Sequence, residues 1–533
     1  MLTEHEKADS NRVMLFRILP ILVCLLLPAA KSATASCVPN PTLSLPIQQE
    51  LVHGLVADTP VAAFYQRCQF AQAWNQGGHP TVQARTLAAQ IQRAPEYGLR
   101  TADYPLPTNV TVPVQFDVEF TAAVLRFAHD LRCGRLTPAR AKADIADTCT
   151  GFDLIGFVWN LACSDQPAMQ IESLEPDAPG YRRTKAALHL LLQRSGISVV
   201  PLPPYSRTLA ADDTPSLQTA ILQRMTLELG NFTEGAAAAT PSPFSVAMQS
   251  YQEQHGLATT GKLDQPTYAA LSIPLSERAE QLGLTLERWR WTARSFDRPP
   301  IVVNIPEFRL RAYDERMNVR FSMKVIVGGA YRRQTPVFEN RIAAVEFRPY
   351  WNVPPSIQRN EILPAERRSP GYLAKHNFEV VRNPGGSTRI RQRPGEGNAL
   401  GLIKFSLPNV HNVYLHDTPK PELFERVRRD FSHGCIRVEK PDELAVWVLR
   451  DQGSWSLQQV QDAMHGNTSF SVKLSGSIPI LIVYGTGFAA ENGRAYFLND
   501  LYGEDKRLIN LLQDVTDRRL AENSVLSAMF ATY

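Results

Sequence analysis

The sequence predicts a multidomain protein with a helical N-terminal region, a small helical module and a mainly β C-terminal domain. The chain has 533 residues, which is more than one hydrophobic core usually serves. Apolar residues recur at helical spacing from Phe116 to Leu131, and Gly134 follows as a typical helix-ending residue. From Pro299 onward, short β-rich segments alternate with turn residues. The helical part is therefore expected to precede the β part.

Composition and charge exclude some protein classes but leave the partner open. The sequence is 44% apolar and 20% charged, which is typical of globular rather than disordered or fibrous proteins. A net charge of +4 over the whole chain is weak evidence for any partner. We expect neither a nucleic-acid partner nor an organic cofactor.

The N-terminus has the layout of a secretory signal peptide over residues 1–35. Arg12 and Arg17 precede an apolar run at 18–30, and Ala33-Thr34-Ala35 forms a small-residue cleavage pattern. The run is shorter than the ~20 residues that cross a bilayer. The alternative is an uncleaved N-terminal anchor. We expect no membrane contact beyond such an anchor. The pattern predicts an exported protein.

Cysteine usage separates one thiol from the others. Five cysteines cluster in the N-terminal third: Cys37, Cys68, Cys133, Cys149 and Cys163. In an oxidising compartment they can form one or two disulfides whose pairing the sequence does not fix. We predict the pairs Cys37–Cys68 and Cys149–Cys163. Cys435 stands alone far downstream, as either a buried apolar side chain or a functional thiol.

The region before the β domain divides into a helical scaffold at 38–230, a Gly-, Ala-, Ser- and Pro-rich linker, and a module at 241–275. The module contains Tyr251-Gln252, Gly256-Leu257, Gly261, Thr267 and Leu271. These residues resemble the pattern of the small three-helix peptidoglycan-binding module, although Thr260 stands where that module usually has an acidic residue. The alternative is an ordinary helical hairpin.

The β-rich domain is predicted over 299–503 and contains an irregular insertion, rich in Pro and Arg, at 351–397. Long irregular segments in compact domains are often lids or binding loops. The polar tail at 504–533 is expected to be a helix or partly disordered.

A group of reactive side chains surrounds the isolated thiol. A nucleophilic thiol needs a base or a cation to hold it as thiolate, and His416 and His433 are both candidates. Gly434 permits a tight turn that can direct backbone N–H groups at an oxyanion. Arg437 can supply positive charge or a fork for a carboxylate.

These residues also have ordinary structural interpretations. His433 can be a turn residue, Asp417 a turn cap and Arg437 a structural ion pair. Two histidines and a cysteine can also bind zinc, but no fourth ligand has convincing spacing. We therefore predict no metal site.

The longer motif decides between these interpretations. Ser432-His433-Gly434-Cys435-Ile436-Arg437 resembles the signature of the YkuD-type L,D-transpeptidase catalytic domain, and Tyr414-Leu415-His416-Asp417-Thr418 also matches. The chain as a whole resembles the large, multidomain periplasmic class of these enzymes, with a helical scaffold, a peptidoglycan-binding module, and a catalytic domain with a lid insertion. Further matches are Leu131–Arg135, Leu286–Trp291, Val302–Pro306, Arg333–Val337, Tyr350–Pro355 and Asn398–Gly401.

The resemblance implies a role for each site residue. Cys435 would be the nucleophile, and His416 would be the general base, oriented by a backbone carbonyl. The oxyanion site would be shaped by Ser432, His433, Gly434 and Arg437. The backbone N–H groups of Gly434 and Cys435 would be its donors. Three would lie near the substrate: Tyr414, Trp351 and Asp417.

The implied reaction is 3→3 cross-linking of peptidoglycan tetrapeptide stems through a cysteine thioester, without metal or cofactor and with sensitivity to carbapenems. Other cell-wall synthases are candidate partners. A non-catalytic peptidoglycan-binding scaffold is one alternative, and a cysteine endopeptidase or carboxypeptidase is another. In papain-like endopeptidases the cysteine precedes the histidine, whereas here His416 precedes Cys435.

Overall fold

The computed structural model describes residues 42–53, 59–108, 110–198, 201–210, 214–230, 243–331, 333–382 and 384–530, all within the unit Pro39–Tyr533. The expected signal peptide and most of the expected linker lie outside these ranges. None of the helices in the described ranges combines the length and apolar character that a bilayer crossing requires.

The first part of the described chain is helical, as the sequence predicts, and includes one short hairpin, β1–β2. Its long helix α4 buries Phe116, Phe120, Phe127 and Leu131 and ends at Gly134. The elements are α1 (Leu45–His53), α2 (Pro60–Arg67), β1 (Asn75–Gln76), β2 (His79–Pro80), α3 (Val82–Gln92), α4 (Pro113–Cys133), α5 (Leu154–Ala162), α6 (Pro167–Glu172), α7 (Pro179–Arg194), α8 (Arg207–Ala210) and α9 (Pro215–Leu229).

Three further helices follow: α10 (Pro243–Gln254), α11 (Gln265–Leu271) and α12 (Leu275–Arg290). Helices α10 and α11 do not pack alone, because Ile221 and Met225 of α9 share a core with Met248, Tyr251 and Leu271. The predicted module boundary at residue 241 therefore leaves out α9, which contributes to the core of the module. The linker composition between α9 and α10 concealed this contact. Peptidoglycan binding by the module stays a prediction.

Two of the sequence motifs meet where the helical region contacts α12. The backbone N–H groups of Arg135 and Leu136 donate to Glu287 Oε1 at 2.6 and 3.1 Å. Gly134 has a φ of +82°, and a Cβ added there would lie 2.7 Å from Glu287. Arg290 also contacts the buried Glu287, at 3.3 Å. This joint fixes the scaffold to the helix that precedes the first strand of the β domain.

The β domain and the C-terminus contain the remaining elements. In chain order they are β3 (Ile301–Asn304), β4 (Arg309–Tyr313), β5 (Val319–Ile326), β6 (Phe338–Phe347), β7 (Trp351–Asn352), α13 (Pro355–Ile357), α14 (Leu363–Arg368), α15 (Tyr372–Lys375), β8 (Phe378–Arg382), β9 (Thr388–Gln392), β10 (Ile403–Ser406), β11 (Leu415–His416), β12 (Ile436–Val438), α16 (Pro441–Val448), α17 (Leu457–His465), β13 (Phe470–Val483), β14 (Gly487–Ala489), β15 (Ala495–Phe497) and α18 (Glu504–Phe530).

Eight strands form a closed barrel in the order β10-β11-β12-β5-β4-β3-β13-β6. Strands β11 and β12 are parallel, with Leu415 opposite Ile436 and His416 opposite Arg437. Leu415 and Ile436 belong to the barrel core. Because successive side chains of a strand alternate between faces, His416 and Arg437 lie on the outer face. The parallel pair therefore presents polar side chains outward at one place on the barrel.

The insertion at 351–397 is ordered, so the prediction of an irregular segment is wrong. Strands β7, β9 and β8 form their own sheet, in that order, and a π-helical turn at Gln358–Ile362 joins α13 to α14. The sheet and helices enclose a small core of Val353, Ile357, Ile362 and Ile390. These few apolar residues come from separate elements, so they produce no periodic pattern in the sequence.

The C-terminal tail is also ordered over most of its length, which decides between the two expectations for it. Helix α18 covers Glu504–Phe530, and its Leu508, Leu512 and Val515 pack against Leu136 and Trp291. The segment therefore links the end of the β domain to the helical scaffold.

The cysteine pairing differs from both predicted disulfides. Cys133 bonds to Cys149, with a Cα–Cα distance of 5.5 Å, because the end of α4 lies beside the following turn. Cys163 is also disulfide-bonded, whereas Cys68 is a free, buried thiol. Cys37 lies outside the described residues. The pairs Cys149–Cys163 and Cys37–Cys68 are therefore wrong.

We expect Arg519→Ala to lower the free energy of unfolding by about 3 kcal/mol, because it removes the arginine from a buried carboxylate and leaves only Tyr104 and His129 in contact with it. Arg519 of α18 contacts both oxygens of Asp130 at 2.5 and 2.9 Å, and Asp130 is fully buried. Burial disfavours the charged carboxylate, but Arg519 outweighs it and holds the pKa of Asp130 below its usual value. Denaturant unfolding measures the effect. The exposed neighbour Arg518 provides the control, and an equal loss in Arg518→Ala would contradict the expectation.

Candidate active site

A row of polar side chains crosses the outer face of four neighbouring barrel strands. Glu346 of β6 is opposite Lys404 of β10, Lys404 is opposite His416 of β11, and His416 is opposite Arg437 of β12. Lys404 Nζ contacts Glu346 at 3.0 Å. Cys435 immediately precedes β12, two positions from Arg437, so it lies at the end of this row. The strand pairing thus brings together residues that are distant in sequence.

His416 is held as a neutral imidazole with a fixed orientation. Its side chain is buried, and Nδ1 lies 2.6 Å from the carbonyl oxygen of Asp417. Burial, followed by the charge of Arg437, lowers the pKa of His416 to about 3. A neutral ring whose Nδ1–H donates to a carbonyl keeps a lone pair on Nε2. His416 is therefore ready to accept a proton at neutral pH.

The Cys435 thiol is half-buried and stays protonated in the free protein. It donates to the carbonyl oxygen of Asn412 at 3.6 Å. Burial raises the pKa of Cys435, while the backbone N–H and hydroxyl of Tyr414 and the charges of Lys404 and Arg437 act in the opposite direction. A protonated thiol is a poor nucleophile, so this arrangement needs a base to accept its proton.

No hydrogen bond joins Cys435 to His416 among the described contacts, and the Tyr414 ring lies beside both residues. Its centroid is 5.7 Å from that of His416. In the parallel register, Leu415 is opposite Ile436, so Cys435 and His416 are diagonal neighbours on the same face. Catalytic contacts are often long in proteins without substrate.

The turn before β12 is held by Ser432. Its backbone N–H donates to Val327 at 2.9 Å, which fixes the turn at the end of β5. The Ser432 hydroxyl donates to the Cys435 carbonyl and accepts the Gly434 N–H at 3.1 Å. Gly434 has a φ of +118°, which an L residue rarely adopts. Thr335 supports the turn by donating to the Gly434 carbonyl at 2.8 Å.

This geometry corrects part of the predicted oxyanion site. The Gly434 N–H is occupied by Ser432, so Gly434 shapes the turn without offering a free donor. The Cys435 N–H has no acceptor among the described residues and remains a candidate donor. His433 is engaged elsewhere, since its Nε2 lies 2.7 Å from Glu361 of the insertion. The geometry therefore favours His416 over His433 as the base.

Asp417 makes structural contacts beside His416. Its carboxylate accepts the Leu402 N–H at 2.8 Å, and its carbonyl accepts the His416 Nδ1–H. The carboxylate is also close to Gly401, where an added Cβ would lie 2.3 Å from Asp417 Oδ2. These contacts show that Asp417 holds β10 and orients His416, and its place near the substrate stays a prediction.

The insertion contacts the site in two places. The Trp351 indole N–H donates to the Tyr414 hydroxyl, and burial raises the pKa of that hydroxyl. Glu361 contacts His433 at 2.7 Å and Arg333 at 2.8 Å. Tyr414 therefore lies at the thiol, Trp351 contacts Tyr414, and the insertion covers one side of the turn. Substrate binding by Trp351 and Tyr414 stays a prediction.

Sequence reasoning missed several residues of the site: Glu346, Lys404, Asn412, Thr335 and Glu361. Most of them depend on strand register or on the fold of the insertion, for which the sequence has no local signal. Thr335 lies within a stretch that matches the family, and this match was the one available signal. Within the described ranges, no group of three or more His, Cys, Asp or Glu side chains is arranged to hold a metal ion.

The barrel with its insertion is thus one domain that holds a thiol and a neutral imidazole on the same outer face. Residues 298–467 match the L,D-transpeptidase catalytic domain of the YkuD family, and residues 59–188 match a Scaffold domain. The chain is also similar to a Haemophilus influenzae protein described as "Putative L,D-transpeptidase", with 34% identity over 229 residues, covering 40% of this chain and 46% of that protein.

Residues 298–467 are therefore similar to the catalytic domain of YkuD-type L,D-transpeptidases. The matched region spans about half the length of the Haemophilus relative. The family match at 298–467 includes the whole row from Glu346 to Arg437, together with Cys435.

Proposed function

We propose that the protein is an L,D-transpeptidase that joins peptidoglycan stem peptides through a thioester on Cys435. The observation that carries this proposal is the pairing of β11 with β12, which puts the neutral His416 imidazole and the Cys435 thiol on one outer face of the barrel. The YkuD-type match over 298–467 supports peptidoglycan as the substrate.

In the first step, the Cys435 sulfur attacks the carbonyl that joins meso-diaminopimelate to D-Ala in a tetrapeptide stem. His416 Nε2 accepts the thiol proton and passes it to the departing D-Ala nitrogen. An S–C bond forms and the C–N bond breaks, so the products are a thioester and free D-Ala. The unoccupied Cys435 N–H is the donor that supports the oxyanion.

In the second step, the side-chain amine of another stem attacks the thioester carbonyl. A C–N bond forms, the C–S bond breaks, and His416 returns a proton from the amine to the sulfur. The product is a 3→3 cross-link. Water in place of the amine would give a carboxypeptidase reaction with the same proton transfers.

We also propose a periplasmic location, supported by the signal-peptide pattern at 1–35. The module that contains α10 and α11 would bind the cell wall, and other cell-wall synthases would be partners. A non-catalytic wall-binding scaffold is the main alternative. The enclosed, oriented His416 favours an enzyme, because a wall-binding protein has no need of a neutral imidazole beside a thiol.

The proposal is tested with purified full-length protein and disaccharide-tetrapeptides containing meso-diaminopimelate. We expect release of D-Ala and formation of 3→3 dimers, both detected by mass spectrometry. A carbapenem is expected to leave an adduct on Cys435. The absence of D-Ala release, dimer and adduct would favour the scaffold alternative. D-Ala release without dimers, even at high stem concentration, would favour a carboxypeptidase.

A further inference from the structure

Arg437 is a cation next to the proposed nucleophile and has no partner among the residues that the structure describes. Its side chain is half-buried, it makes no ion pair or side-chain hydrogen bond with the described residues, and its Nε is shielded from solvent without an acceptor. An arginine presents five donors in a planar fork that matches a carboxylate. An empty fork beside a reactive thiol is therefore an available anion site.

Other enclosed arginines of this chain show how unusual this position is. Arg135 pairs with Asp103 at 2.8 Å, and Arg290 pairs with Glu287 at 3.3 Å. In the active-site row itself, Lys404 pairs with Glu346. Leaving a partly buried charge without an acceptor is costly, and the enclosed Arg224 and Arg429, which have no ion pair, donate to backbone carbonyls instead. The Arg437 side chain has neither a carboxylate nor a carbonyl acceptor among the described residues, so an anion from outside the chain fits its fork.

We propose that Arg437 binds the terminal carboxylate of the stem peptide, the carboxylate of the D-Ala that leaves. The inference rests on the proposed function, because it names how that site recognises its substrate. Cys435 and Arg437 are two positions apart and on the same face, which separates their Cα atoms by about 6.6 Å in a strand. In the stem, three bonds separate the attacked carbonyl carbon from the terminal carboxyl carbon. A stem whose terminal carboxylate is held by the Arg437 guanidinium would therefore have its reactive carbonyl next to the Cys435 sulfur.

This subsite would select stems that end one residue beyond the attacked carbonyl. A longer stem would put a neutral amide at the fork, and an amidated terminus would do the same. Charge-assisted bidentate contacts are stronger and more directional than neutral ones. When D-Ala departs, its carboxylate leaves with it, and the fork is empty again while the acyl group remains on Cys435.

Arg437→Gln is the test variant, and two thiol reagents of similar size are the probes. Iodoacetate carries a carboxylate and iodoacetamide is neutral, so the ratio of their alkylation rates at Cys435 cancels any change in thiol reactivity. We expect this ratio to fall at least about fivefold in Arg437→Gln, because a charge-assisted contact is lost. Arg437→Lys keeps the charge without the fork, and we expect its rate ratio to lie between those of the unmodified protein and Arg437→Gln. Peptide mass spectrometry measures each rate.

Arg320→Gln is the matched control. Arg320 is exposed on β5, six residues or about 20 Å along the strand from Ile326, the partner of Arg437. Its ratio should equal that of the unmodified sequence. If Arg437→Gln slows both reagents by the same factor, Arg437 acts only on the thiol and the inference is wrong. An equal fall of the ratio in Arg320→Gln would also overturn it.

The substrate arm compares tetrapeptides that end in D-Ala carboxylate or D-Ala carboxamide. The unmodified protein is expected to acylate at least about tenfold faster with the carboxylate, and Arg437→Gln should reduce this preference to about threefold or less. An unchanged preference in the variant would overturn the inference. If neither stem acylates the unmodified protein, the proposed function fails. The ratio of the iodoacetate and iodoacetamide rates then tests by itself whether Arg437 binds an anion.

Discussion

Replacing Cys435 with alanine is expected to abolish D-Ala release and cross-linking, with a loss of at least about 10³-fold. The covalent route needs a sulfur to carry the acyl group, and no other described thiol lies in the site. The fold should survive, because Cys435 is half-buried and its turn is held by backbone groups and by Ser432. Product analysis and the midpoint of denaturant unfolding measure the two outcomes.

Cys68→Ala is the matched control for this prediction. Cys68 is also a free thiol, but it is buried in the helical scaffold, and burial raises its pKa to about 12. It is therefore protonated and inaccessible, and its removal should leave turnover unchanged. Cross-linking by Cys435→Ala at a comparable rate would refute the thioester route. A folded Cys68→Ala protein that is inactive would also contradict the assignment of the thioester to Cys435.

The candidate nucleophile and base could be identified from sequence because both lie in short, contiguous motifs. His416 is next to Asp417, whose carbonyl orients its ring, and Cys435 follows the turn that Ser432 and Gly434 form. In each case the determining contacts are within a few residues. Local chemistry of this kind is visible in the sequence itself.

The surroundings of this pair could not be identified in the same way. Lys404 and Glu346 reach His416 only through the register of β6, β10 and β11. A shift of one residue would move each of these side chains to the other face, and the sequence does not specify that register. Glu361 reaches His433 only because the insertion folds around its own small core.

The domain organisation could also be predicted only in part. The helical scaffold and the β domain were predictable because their hydrophobic periods differ. Helix α18 could be predicted only as one of two alternatives, because its apolar side chains pack against Leu136 and Trp291, far away in sequence. The disulfide between Cys133 and Cys149 depends on where α4 ends, and cysteine spacing alone favoured another pairing.

His416→Ala is expected to slow acylation of Cys435 by about 10²- to 10⁴-fold, the usual contribution of a general base. The rate is measured for the first step alone, as D-Ala release or as carbapenem adduct formation, so that the acceptor amine does not contribute. His433→Ala is the control, since Glu361 already occupies that ring. A His416→Ala rate within about threefold of the unmodified protein would assign the base role to another group.

The pH dependence of the same step separates a base from a merely structural histidine. Because the pKa of His416 is lowered to about 3, the ring stays neutral above about pH 5. The acylation rate of the unmodified protein should therefore be nearly flat from about pH 5 to 8. Without the ring, the reaction needs free thiolate, and burial raises the pKa of Cys435. Below that pKa the thiolate fraction rises tenfold per pH unit, so we expect the His416→Ala rate to rise by about that factor. A flat profile in the variant would mean that His416 does not take the thiol proton.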